Sequence, residues 1–157
     1  MKLLTSLALA LACAGCATTT SDMRYDLDAL GEALMSATCA GMPPTAVETV
    51  PNPHVDGVMD RIEHRTCAEG ASTVYVSTQA SDPAGLAMSL VLHRSVHGLP
   101  AFLDFGSPAS AAVAKLGVPD RVAGDTLVYV FGDFEDTLSI RAPEGKITSL
   151  AWSWTVD

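Results

Sequence analysis

Three runs near the C-terminus constrain the fold most strongly: DTLVYVF (125–131), EDTLSIR (135–141) and KITSLAWSW (146–154) carry strand-like patterning and are separated by the turn segments GDF and PEG. In the last run Leu150, Trp152 and Trp154 fall on one side and Ser149, Ala151 and Ser153 on the other. Such alternation predicts a half-buried strand of an antiparallel sheet, with a helix covering the apolar face. A candidate helix immediately precedes the strands. Ser107 is placed to act as its N-cap, Pro108 as its first residue, and SAAVAKL as its body, with Val113 and Leu116 facing inward. Gly117 is expected to close it in a left-handed conformation, and Pro119 prevents its resumption.

The N-terminal part repeats this order. In SDMRYDLDALGEALMSATCAG (21–41) the residues Met23, Leu27, Leu30, Leu34 and Met35 recur at steps of three and four, with Ser21 as N-cap. This predicts a helix of about four turns. The following MPPTAVETVPNPHVDG carries prolines at 43, 44, 51 and 53 and reads as an extended connection. Strands are expected at VMDRIEHRTC (58–67), STVYVSTQA (72–80) and LAMSLVLHRS (86–95), with a short run at PAFLDF (100–105). A helix followed by three strands therefore occurs twice. The expectation is an α+β fold: an antiparallel sheet with helices packed on one face, on a pseudo-duplicated plan. Its halves, 23–105 and 106–157, form a single domain over 23–157, because either alone would have a marginal core.

Residues 1–15, MKLLTSLALALACAG, place one lysine before an apolar run and then small residues ahead of Cys16. This is the layout of a signal peptide, too short to stay as a membrane span. Ala14-Gly15-Cys16 resembles the lipobox of bacterial lipoproteins. That resemblance implies lipidation of Cys16, a tether over 16–22, and membrane attachment through the lipid anchor. Ala17 in place of the Asp that retains such proteins at the inner membrane implies the outer membrane, facing the periplasm. Cleavage at Ala12-Cys13-Ala14 is the alternative and would release a soluble periplasmic protein.

Charge and cysteine usage fit an exported protein. The chain has 9 Lys+Arg against 18 Asp+Glu, a net charge of −9, and loss of Lys2 with the leader makes it more negative. Nucleic acid is a poor partner for such a chain, whereas a protein partner, if charge-selected, would be basic. Cys39 and Cys67 remain in the folded part, without a Cys-x-x-Cys spacing, and are expected to form a structural disulfide worth about 3 to 4 kcal/mol.

The segment GSPASAAVAKLGVPDRVAGDTLVYVFGDFEDTLSIRAPEGKITSLAW (106–152) resembles the SmpA/OmlA/BamE-type module of outer-membrane lipoproteins, and more broadly the fold of β-lactamase inhibitory proteins. The likeness rests on Gly106 before a short helix, Val113-x-x-Leu116-Gly117-x-Pro119 closing it, an aromatic-bearing strand, an acidic turn and the final Gly145-Lys146-Ile147 strand. It implies a non-catalytic module without cofactors that binds protein, as an assembly accessory or as an inhibitor or immunity protein.

The competing reading is a small periplasmic hydrolase or metal-binding enzyme. His93 and His97 lie four apart, which on a strand separates them by about 13 Å and on a helix would let them share a metal. Asp56, Asp60, Glu63 and His64 are an acid/base candidate group, although Asp60 and Glu63 point to opposite faces of a strand, and solvated charges describe them better. The turn GDFED (132–136) suits calcium, a basic partner, or simply solvent. The chain has no Gly-x-Ser-x-Gly and no Gly-rich phosphate loop.

Overall fold

The structure, a computed structural model, describes residues 20–79 and 85–156, with side chains from residue 27 onward. The leader, Cys16 and its expected lipid lie outside the described residues. The chain runs as α1 (Thr20–Ala37), β1 (Ala46–Pro51), β2 (Met59–Thr66), β3 (Gly70–Val76), β4 (Leu86–Leu92), α2 (Ala109–Leu116), β5 (Arg121–Ala123), β6 (Thr126–Phe131), β7 (Asp136–Arg141) and β8 (Ser149–Ser153). Single 3-10 turns occupy Ala101–Leu103 and Pro143–Gly145.

All eight strands form one antiparallel sheet in the order β1-β2-β3-β4-β8-β7-β6-β5. The protein is thus mostly sheet with two helices. Each half contributes four strands, not the expected three. β1 arises from the Pro-rich segment, where Pro51 sits at the strand's end on an edge and leaves no inner ladder position without a donor. β5 is only three residues long, too short for a periodicity to register. β4 ends at Leu92, so His93 and Ser95 lie beyond it.

The register explains where the core lies. One row crosses the sheet from Tyr129 of β6 through Leu138, Trp152 and Leu90 to Ser72 and Arg65 of β2. Its first four members are at most 1% exposed. Together with Phe131, Ile140, Leu150 and Leu92, they meet Leu27 and Leu34 of α1 and Ala112 and Leu116 of α2. Val113, expected to face inward, is only half-buried, and Ala112 takes that place.

α1 is seated by its contact with the two tryptophans. Trp152 Nε1 donates to the Leu27 carbonyl at 3.1 Å, and Trp154 Nε1 donates to Asp28 Oδ1 at 2.8 Å. Gly31 permits this approach: a Cβ there would stand 2.6 Å from both indoles. The helix begins at Thr20, so Ser21 lies inside it and not at its cap.

The Gly-x-Pro break after α2 also differs in detail. Gly117 adopts φ 84°, ψ −165°, a region open essentially to glycine alone, and not the left-handed helical well. Its N–H still caps the helix on the Val113 carbonyl, and its own carbonyl accepts from the Tyr129 hydroxyl at 3.2 Å. At the other end Pro108 holds the cap position without a side-chain bond, while Ser107 Oγ donates instead to the Ala101 carbonyl.

Candidate binding surface

The row of side chains on the opposite sheet face has a different chemistry. Ala46, His64, Thr73, Ser89, Ser153, Thr137 and Val130 follow one another across seven strands, and beside them run Val91, Ala151, Ser139 and Val128. Small and β-branched side chains dominate, and most are half-buried, whereas the core row is fully buried from β6 to β4. This alternation in β7 and β8 produces one strongly apolar face and one face of short polar and aliphatic groups.

At the β1–β3 end of this face lies a polar network that sequence reasoning missed. Asp60, expected as a solvated charge, has 0% exposure. Its Oδ2 accepts from Asn52 Nδ2 at 2.7 Å and from the Tyr75 hydroxyl, and its Oδ1 accepts from the Thr78 N–H at 2.7 Å and the Thr78 hydroxyl at 3.1 Å. A buried carboxylate with four donors keeps its charge. The Tyr75 hydrogen bond is the largest cause, burial opposes it, and the remaining donors help bring the Asp60 pKa down to about 2. The same bond, with burial and the neighbouring negative charge, pushes Tyr75 up.

Asn52 also accepts from the backbone N–H groups of His54 and Val55, both at 2.8 Å, which folds the 52–58 loop back over Asp60. The available signal was the Asn-Pro pair opening that loop, but only tertiary pairing brings Tyr75 and Thr78 to the carboxylate.

The other acid/base candidates are dispersed. Glu63 lies on the opposite face, as its position on the strand predicts, and bridges Arg65 at 2.6 Å and Arg61 at 3.4 Å. His64 Nδ1 lies 3.2 Å from Thr73 Oγ1, and Asp56 is exposed in the loop. His93 and His97 are exposed in the connection after β4, on neither a strand nor a helix. Among the described residues no group of three His, Cys, Asp or Glu is arranged to hold a metal.

The acidic turn is better formed. Asp133, Phe134 and Asp136 approach Asp28 of α1 around a cavity of about 270 Å³, with Phe134 61% exposed. Asp136 is tied down by the Thr155 N–H at 2.8 Å, and the Thr155 hydroxyl donates to the Phe134 carbonyl at 3.0 Å.

Cys39 and Cys67 are joined, with a Cα–Cα distance of 5.5 Å, linking the end of α1 to the β2–β3 turn. Among the described residues no helix is long and apolar enough to cross a membrane. These features define an antiparallel-sheet protein with two helices and one face of short polar and aliphatic groups. The chain matches no protein-family model, no curated protein and no solved structure.

Proposed function

We propose that this chain is a non-catalytic envelope lipoprotein, held through Cys16 at the outer membrane, that binds a protein partner on the sheet face opposite the helices. The observation that carries this reading is the contrast between the two faces. The helix-covered face spends its large apolar side chains on the core, while the other presents Thr73, Ser89, Ser139, Ala151 and Ser153 across adjoining strands, short groups over which a partner can pack closely. The net charge of −9 suits a basic partner.

The plan itself is read as pseudo-duplicated. A helix and four strands precede the β4–β8 junction on one side, a helix and four strands flank it on the other, and the sheet order runs inward from both edges to that pair. Such a plan builds one broad face from two halves, as the resemblance to the SmpA/OmlA/BamE-type and inhibitor modules implies. The role is then that of an assembly accessory or of an inhibitor or immunity protein.

The test is a pull-down from membrane extract with the lipidated full chain and its Ala151→Arg variant. A stoichiometric protein retained by the wild type and lost by the variant is the expected result. Recovery of nothing, together with a stoichiometric metal ion that depends on His93 and His97, would favour the enzyme reading and end this one.

A further inference from the structure

The core row described above changes character at its β2–β3 end. Tyr129, Leu138, Trp152 and Leu90 give way to Ser72 and Arg65, which are cross-strand partners. At this end a groove of about 600 Å³ opens between the sheet and the segment that leaves α1. Met35 and Met42 wall it on one side, Pro43 closes its rim, and Val74, Ser72 and Arg65 form its floor. The disulfide pins this wall in place, since Cys39 itself lines the groove and is bonded to Cys67 beside the floor strands.

Two features of the floor point to a ligand. Ser72 is 97% buried by its 3% exposure, yet its hydroxyl makes no side-chain hydrogen bond among the described residues. A buried hydroxyl without a partner is costly unless something supplies one. Arg65 spends one terminal nitrogen on Glu63, and Glu63 is shared with Arg61, so two cations face a single carboxylate on this strand. Among the described residues the floor therefore carries a hydroxyl with no side-chain partner beside a guanidinium whose one carboxylate is shared with Arg61. Its surroundings mix the hydroxyl-bearing Ser36 and Thr38 with the thioether and aliphatic surface of Met35, Met42 and Val74, which adapts to chains of varied shape.

We propose that this groove binds a small apolar carboxylate of the fatty-acid class. The carboxylate accepts from the Ser72 hydroxyl and the free N–H groups of Arg65, and the hydrocarbon lies against Met35, Met42 and Val74. The net charge of −9 repels extended polyanions but acts weakly on a monoanion that reaches the cation directly. The volume falls within the range of small-molecule sites. This site lies on the helix side of the sheet and is separate from the face assigned to a protein partner, so either assignment can fail alone.

The test is calorimetric titration of the purified full chain with decanoate below its micellar concentration, alongside decanol and decylamine. Saturable one-to-one binding of decanoate is expected, with decanol weaker and decylamine absent. Arg65→Gln and Ser72→Ala are each expected to weaken it roughly tenfold or more, the size of one charge-assisted hydrogen bond. Met42→Trp, at a half-exposed rim position, should block the groove while leaving the near-UV circular dichroism of the core unchanged, and so separates blockade from misfolding. Equal affinity for decanoate and decanol, binding unaffected by all three substitutions, or no binding would each overturn the proposal.

Discussion

The β6–β8 side of the sheet and the β1–β3 side are built by different physics. On the first, the core positions are Tyr129, Phe131, Leu138, Ile140, Leu150 and Trp152, none more than 2% exposed, and they form one buried cluster with Leu27 and Leu34 of α1 and Ala112 and Leu116 of α2. On the second, the equivalent positions of β2 are Arg61, Glu63 and Arg65, with side chains 50%, 13% and 27% exposed. Burial stabilises the first region in bulk, without needing direction. The second is held by discrete connections: the Cys39–Cys67 bond, the four-donor cradle of Asp60, and the Glu63 bridge. Discrete connections fail one at a time, whereas a shared core fails as a whole.

The largest effect is expected in the core. Trp152→Ala should cost about 3 to 5 kcal/mol in urea denaturation, since it removes the largest buried side chain together with the indole bond to α1. Amide exchange should rise over both halves. If protection were lost on β6–β8 alone, the two sides would not share a core and the contrast drawn above would be too weak.

Next comes the disulfide. Reduction, or Cys39→Ser with Cys67→Ser, should cost about 2 to 4 kcal/mol, with the exchange increase concentrated in β1–β3 and the end of α1. A uniform increase across all eight strands would break the comparison. Gly117→Ala should cost about 1 to 3 kcal/mol, because φ 84° with ψ −165° excludes a Cβ, and should loosen α2 on β6 without touching β2.

Asp60 supplies a pH signature for the second region alone. Its folded pKa is depressed from 3.8 to about 2, so the stabilisation it gives is complete above the unfolded value and is lost as pH falls from about 4 through about 2. In Asp60→Asn the acid limb of the stability profile should flatten over that window. An unchanged profile would mean that the cradle does not tie the loop to the sheet. The smallest effect is expected at Arg141, whose exposed pair with Asp125 at 3.4 Å should contribute at most about 1 kcal/mol by double-mutant cycle.

The legibility of the molecule follows the same division. Period-two alternation in β8 identified Leu150 and Trp152 as facing one way because burial on a pleated strand is a local rule. The spacing of Leu27 and Leu34 did the same for α1. The cysteine pair was legible from number and context. β1 was obscured by prolines that an edge position tolerates, and β5 by its brevity. Asp60 was misread because a carboxylate in a strand sequence carries no mark of its donors, which arrive from Asn52, Tyr75 and Thr78 only once β1, β2 and β3 are paired.

By itself, then, the sequence determined an α+β class, the main strands of the second half, one amphipathic helix and the cysteine bridge, since each depends on period, punctuation or count. Tertiary structure decided the central β4–β8 pairing, the seating of α1 against Trp152 and Trp154 across the gap left by Gly31, the burial of Asp60, and the groove over Ser72 and Arg65. These join residues far apart in the chain, and their energies depend on distance and desolvation that no local pattern records.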